Sequence, residues 1–175
     1  MRLLVSVSFS KETIDNLMTI MENLKKCSRK GMFLQAKDLR MNFLLINEID
    51  DIRPIQKAAD DFFAKPFEIT FNRIDKSRRE GGDIYWAVAE PHPGLTNIYD
   101  TFMSTADDYG YECEDMPFKS RVCLGEHVIA RPNFAVDTFS AKVDNITLVK
   151  YTQVKNKVIY KELYKKDFSL PDDAK

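Results

Sequence analysis

Two short segments, Leu39-Arg40-Met41-Asn42-Phe43-Leu44 and Ser120-Arg121-Val122-Cys123-Leu124-Gly125, stand about eighty residues apart and share one pattern. Apolar side chains alternate with others, as in a strand with one buried face. Each segment places an arginine and, two residues on, a small polar or thiol side chain on the same face. Such a repeat points to a fold with two like halves whose special strands lie side by side.

Around these segments the hydrophobic period switches repeatedly. Arg2 to Phe9 alternates as a first strand, and Ser10 can cap a helix to about Lys26, with Ile14, Leu17, Met18, Met21 and Leu24 at helical spacing and Glu12 in the electropositive first turn. Cys27 to Asp38 reads as a polar connection containing Gly31. It leads into a strand from Leu39 to Ile46, with Leu39, Met41, Phe43 and Leu45 on one face and Arg40 and Asn42 on the other. A second helix fits Ile52 to Phe63, with Pro54 tolerated in its first turn. Phe67, Ile69 and Phe71 alternate with polar residues, and Ile84 to Ala89 returns as the second strand of a hairpin tipped by the charged loop Lys76 to Asp83. Pro91-His92-Pro93-Gly94 precedes a third helix through Leu95, Ile98, Phe102 and Ala106, ended by Gly110. After the second arginine strand, Ala141 to Lys150 and Lys157 to Tyr164 form a closing pair, and residues 169–175 are expected to be a flexible tail. Strands and helices mixed with antiparallel hairpins predict an α+β fold, and the lack of a Gly-, Ser- or Pro-rich linker makes residues 1–168 one domain of two lobes.

Composition narrows the function. With 175 residues, 44% of them apolar, the chain can bury a real core. Its apolar opening is too short and too regular for a signal sequence, and no membrane span is expected. Cys27, Cys113 and Cys123 have no Cys-x-x-Cys spacing, so the expectation is reduced thiols in a cytoplasm, without a metal site. There is no glycine-rich phosphate loop, and no cofactor is implied. The balance of 26 basic against 27 acidic side chains gives no global positive field, so any RNA partner must be held locally, at an end or in a cleft.

The opening Arg2-Leu3-Leu4-Val5-Ser6-Val7, the segment from Lys37 to Glu48, and Ile84-Tyr85-Trp86-Ala87-Val88 carry a family resemblance. So do Pro117 to Leu124, Asn145 to Lys150 and Val158-Ile159-Tyr160. In order and spacing they resemble the two-histidine phosphoesterases, and within them the bacterial RNA 2′,3′-cyclic phosphodiesterases, also called 2′-5′ RNA ligases. The resemblance implies a bilobal, pseudo-symmetric antiparallel sheet around a central cleft, with helices on the outer faces. It also implies two His-x-Thr pairs across that cleft. One histidine serves as base and the other as acid on opposite sides of a phosphorus, while the threonines hold phosphate oxygens.

Here the first pair reads Arg40 and Asn42 and the second Arg121 and Cys123; Ser120 stands where the family usually has proline, and Glu126 where it usually has a basic residue. Guanidinium, with a pKa above about 12, neither accepts nor readily gives a proton near neutrality. Each lost acid or base typically removes on the order of 10²–10⁴ in rate, so no catalytic residue is expected. His127 lies six residues beyond Arg121, roughly 20 Å along a strand at about 3.3 Å per residue, and His92 reads as a loop residue between two prolines.

What arginines can do is bind anions. Arg40 and Arg121 facing one another, with Asn42 donating and Cys123 beside them, would clamp a phosphate-bearing small molecule or RNA end. The opposing reading is a decayed site in which each arginine leans outward or pairs with a carboxylate such as Glu48 or Glu112. Cys123 reads as an inert thiol rather than a nucleophile, Trp86 and Tyr85 as packing residues before base-stacking ones, and Lys76 to Gly82 as a solvated loop or an RNA contact. Three functions follow: a degenerate family member that binds its ligand without turnover, an active cyclic phosphodiesterase or RNA ligase using other residues, and a scaffold for protein interaction.

Overall fold

At the N-terminus, alternation does what it promises: Arg2–Val7 (β1) buries Leu3, Val5 and Val7 completely on one face. Ser10 then starts α1, Lys11–Lys26, its hydroxyl accepting from the Thr13 amide at 3.3 Å. Leu17, Ile20, Met21 and Leu24 form the buried stripe of that helix. The chain continues through Ser28–Phe33 (β2), a 3₁₀ turn at Ala36–Asp38, Met41–Ile46 (β3), Arg53–Asp60 (α2), Phe67–Ser77 (β4) and Asp83–Ala89 (β5). It closes with Pro93–Asp108 (α3), Arg121–Ala130 (β6), Phe139–Val143 (β7), Asn145–Val154 (β8) and Lys157–Asp167 (β9). This computed structural model describes residues 1–115 and 117–168; the tail expected at 169–175 lies outside the described residues.

The nine strands form one α+β sheet in the order β7-β4-β5-β6-β3-β1-β8-β9, with β2 also paired to β6. Every registered pair is antiparallel. The two halves mirror each other: β3 and β6 meet in the middle, β1 and β5 flank them, and each arginine strand pairs with the strand that precedes the helix before it. At the seam Met41 is registered with Val122, both fully buried. They join a core shared by all three helices, in which each large apolar side chain contributes about 1.5–3 kcal/mol. The other face of the curled sheet is the wall of a cleft. Among the described residues no helix is long and apolar enough to cross a membrane.

Four local expectations need correction. The supposed polar connection contains β2, registered with β6 from Ser28↔Ala130 to Phe33↔Gly125. Its exposed Arg29, Lys30 and Met32 leave no alternation to read, and its pairing depends on Gly125, where a Cβ would lie 2.9 Å from Phe33 Cδ1 and 3.1 Å from the Met32 carbonyl oxygen. On β3 the pairing jumps from Val5↔Leu44 to Ser6↔Asn42, so Phe43 is an extra residue in a bulge. Leu44 and Ile46 therefore turn to the core, while Leu45 lines the cleft instead of sharing the face of Met41. The second helix ends at Asp60 rather than Phe63. Finally, the stretch read as one closing strand is split at Asp144, β7 pairing with β4 and β8 with β1 on the far side of the sheet. The apolar phase flips there, from Ala141 and Val143 to Ile146 and Leu148, across the two polar residues Asp144 and Asn145. Asn145 anchors the change of partner, accepting from the Ser8 amide at 3.0 Å and donating to the Ser8 carbonyl at 2.8 Å.

Candidate ligand cleft

The Met41–Val122 pair fixes the site. With both side chains in the core, their neighbours project into the cleft, and antiparallel register sets Asn42 opposite Arg121 and Arg40 opposite Cys123. The register thus sets the four sequence-predicted positions diagonally, but only Asn42, Arg121 and Cys123 line the cleft, so the two arginines do not occupy equivalent places.

Arg121 opens β6 at the centre of the cleft. Its guanidinium lies over the indole of Trp86, 3.7 Å from the ring centroid, so Trp86 is neither purely core nor free to stack on its own. Ser120 fixes this start of the strand, its hydroxyl donating to the Ala89 carbonyl at 2.8 Å while the Ala89 amide donates back to the Ser120 carbonyl at 2.9 Å. Among the described residues the Arg121 guanidinium donates no hydrogen bond and forms no ion pair. Burial pushes its pKa down from the ordinary arginine value; Asp75 and Cys123 oppose that shift and Arg79, from the β4–β5 hairpin tip, adds to it.

Arg40 stands just before β3, after the 3₁₀ turn, and has withdrawn from the cleft. Its Nη2 donates to the Lys37 carbonyl at 3.1 Å, and its guanidinium sits 5.8 Å from the centroid of Tyr160, which stands in the cleft wall. Nε and Nη1 are buried without an acceptor among the described residues. Burial lowers its pKa, against the attraction of Asp38, Glu162 and Tyr160. Neither arginine takes the carboxylates anticipated for it: Glu48 accepts from the N-terminal ammonium at 2.7 Å instead. The face-to-face clamp is therefore not the arrangement present.

The cleft, about 330 Å³, is lined by Asn42, Trp86, Lys119, Arg121, Cys123 and the tyrosines of β8 and β9, Tyr151 and Tyr160. The tyrosine rings meet edge to face at 5.8 Å. Arg2 reaches in from β1, 4.7 Å above the Tyr151 ring and bonded to Glu114 at 2.8 Å. With Arg2 so neutralised, the excess charge belongs to Lys119 and Arg121. Burial, aided by Glu126, pushes the Cys123 thiol up to about 12 against a backbone hydrogen bond from Gly125 and the charge of Arg121, which disfavours the thiolate that a nucleophile would need. Burial likewise raises the Tyr160 phenol.

No histidine lines this cleft. His127 lies exposed at φ 54 where the hairpin tip packs on β6; a Cβ on Gly82 would fall 2.5 Å from its carbonyl carbon. His92 is more than a loop residue: its Nδ1 accepts from the Gly94 amide at 2.9 Å to cap α3, and its ring stacks on Phe67 at 4.4 Å. Among the described residues no group of three His, Cys, Asp or Glu side chains is placed to hold a metal.

Of the residues missed from sequence, Lys119 carried a local signal, two positions before Arg121 on the same face. Arg2, Tyr151 and Tyr160 carried none, because only the sheet order β3-β1-β8-β9 brings them in, and Glu114 arrives from the α3–β6 connection, its amide donating to the Leu45 carbonyl at 2.9 Å.

No protein-family model matches the chain, and no curated protein matches it significantly. Solved structures do match its fold over almost the whole length. TT0787 of Thermus thermophilus is 17% identical with a TM-score of 0.81, over 97% of this chain and 99% of that one. E. coli LigT in its apo form is 16% identical with a TM-score of 0.77, over 96% and 97%. The LigT complex with 3′-AMP is 16% identical with a TM-score of 0.76, over 96% and 98%; LigT complexes with ATP, NADP+ and phosphate match as well. The architecture is thus the LigT-like, two-histidine phosphoesterase fold.

Proposed function

We propose that the chain binds a phosphate-bearing ligand, a nucleotide or RNA end, in this cleft without turning it over. The observation that carries the reading is Arg121: a half-buried guanidinium laid on Trp86, flanked by Lys119, with no acceptor among the described residues. A cation held that way loses hydration, and an anionic oxygen restores its hydrogen bonds, which for charged partners are worth about 1.5–3 kcal/mol each. Asn42, opposite Arg121, supplies a neutral donor. The aromatic wall suits a base or ribose, and a protein of the same fold, LigT, is crystallised with 3′-AMP and with phosphate.

The absence of turnover follows from the same inventory. Hydrolysis of a cyclic phosphodiester needs a base and an acid in line with one phosphorus. Arg121 can be neither, Arg40 is withdrawn, and the Cys123 thiol stays protonated at neutral pH.

Thermal melts with 3′-AMP and inorganic phosphate, on the wild type and Arg121→Ala, test the reading. At a ligand concentration 100 times Kd the wild type gains about 2.7 kcal/mol, and the variant loses most of that gain. Incubation with a 2′,3′-cyclic nucleotide leaves it intact. No rise in Tm at millimolar ligand refutes binding, and turnover that disappears in Arg121→Ala refutes the non-catalytic claim.

A further inference from the structure

Beyond Tyr151 the last hairpin leaves the sheet. β1 is registered with β8 only from Arg2↔Tyr151 to Ser6↔Thr147, whereas β8 and β9 continue as a pair to Val154↔Lys157. The outer part, from Thr152 to Ile159, is therefore a two-stranded ribbon with no third strand beside it among the described residues.

The two faces of this hairpin differ. Tyr151 and Tyr160 stand directly opposite each other and belong to the cleft. Alternation puts Lys150, Thr152, Val154, Lys157, Ile159 and Lys161 on the other face, the one that Leu3 shares with the core. At the ribbon that face is open to solvent: Val154 is 50% and Ile159 52% exposed, and Lys157 and Lys161 are exposed beside them.

This face carries charges that the fold leaves unbalanced. Lys150 stands directly opposite Lys161, and like charges so placed destabilise a sheet. Neither of them, nor Lys155 or Lys157, forms an ion pair among the described residues. Glu162, the next carboxylate, is opposite Val149 and so falls on the cleft face. Lys155 opens the two-residue turn at φ 57, a conformation that favours glycine, so the apex also keeps a cation where another residue would be less strained. From Lys150 to Lys161 there are four lysines and no carboxylate, in a chain of 26 basic and 27 acidic side chains. The ribbon is the positive pole of an otherwise negative protein.

We propose that this face docks the protein on an anionic lipid surface. The lysines meet lipid phosphates, and Val154 and Ile159 enter the headgroup region between them. Cations around exposed aliphatic side chains suit such an interface: charge draws the protein to the surface, and apolar burial holds it there. Long lysine stems let the ammonium groups reach the phosphates while the branched side chains sink. A nucleic-acid strand would use the lysines alone, because valine and isoleucine offer no flat face to a base and the tyrosines lie on the opposite side of the ribbon. Docked this way, the cleft face of the hairpin points away from the lipid and stays open, whatever the cleft binds.

Flotation of the full chain with vesicles of phosphatidylcholine containing about one-third phosphatidylglycerol, compared with phosphatidylcholine alone, tests this at about 0.1 M salt. Binding is expected only to the anionic vesicles, and it falls at least about tenfold at about 0.5 M salt, where the charges are screened. Lys157→Gln combined with Lys161→Gln weakens binding about 20-fold. The Tm of that variant does not fall, because the opposed lysine pair is relieved. Ile159→Ser keeps every charge and weakens binding about fivefold. Absence of binding to the anionic vesicles, equal binding to the neutral ones, or indifference to the lysine variant overturns the proposal. Binding that Ile159→Ser leaves unchanged overturns it too, and capture of a single-stranded RNA by the same lysines would then identify the partner as nucleic acid.

Discussion

Replacing Arg40 by methionine is expected to stabilise the protein, although it deletes a charged residue that the sequence marks as functional. Two of its guanidinium nitrogens, Nε and Nη1, are buried without an acceptor among the described residues. A buried unsatisfied donor costs about 1–3 kcal/mol, and the cost rises for a charged group. Taking the low end for each nitrogen, because the residue is only half-buried, their removal returns about 2–3 kcal/mol. Against this stand the bond to the Lys37 carbonyl, about 1 kcal/mol because that turn is open to water, and the contact with Tyr160, about 0.5 kcal/mol at such a distance. Methionine keeps the packing of the aliphatic stem. The balance is a gain of about 0.5–1.5 kcal/mol. For a chain of 175 residues that corresponds to a rise in Tm of about 1–6 °C and a shift of the urea midpoint with unchanged slope. Arg40→Lys, which keeps the charge and loses the planar fork, should show no such gain. Because Arg40 has left the cleft, the methionine variant should bind 3′-AMP within about threefold of the wild type. A loss of 1 kcal/mol or more in stability, or of tenfold in affinity, would refute the argument and return Arg40 to the ligand.

Three further outcomes follow from two buried positions on β6. Iodoacetamide should alkylate Cys123 on the order of 10³-fold more slowly than an ordinary thiol at pH 8, as peptide mapping would show, because its thiol is pushed up to about 12. The same raised pKa favours the folded state below the ordinary thiol value of 9.0 and loses that contribution as pH climbs toward about 12, so Cys123→Ala should flatten the alkaline fall in stability. Gly125→Ala should cost about 1–3 kcal/mol in denaturation, since its Cβ would meet Phe33 Cδ1 at 2.9 Å; an unchanged midpoint would contradict the close pairing of β2 with β6.

Period-2 and period-3.6 patterning was enough to mark both arginine strands and the three helices, because each has one face in the core. It failed where partners are chosen over long range. Nothing local distinguishes Arg40 from Arg121, yet their surroundings differ: Tyr160 beside Arg40 comes from β9, and Trp86 under Arg121 from the adjacent β5. Tyr151 and Tyr160 looked like ordinary strand residues until β8 was placed against β1. The Phe43 bulge was equally silent, because inserting one residue reverses the faces of all that follow without changing the alternation itself.

The asymmetry of the two arginines bears on why this centre is better read as a binder than as a damaged enzyme. Acid–base catalysis at phosphorus uses both halves of the pseudo-symmetric cleft at once, so losing either half ends it. Anion binding has no such requirement. One guanidinium held against Trp86, with Lys119 beside it and Asn42 opposite, is sufficient for charge-assisted hydrogen bonds. Two cations converging on one small cleft would also repel each other whenever it was empty. The withdrawal of Arg40 beside Tyr160 relieves that repulsion at the expense of unsatisfied donors, leaving Arg121 as the group through which the proposed ligand would be held. Mutating the two arginines separately should therefore give opposite results: Arg40 governs stability and Arg121 governs binding.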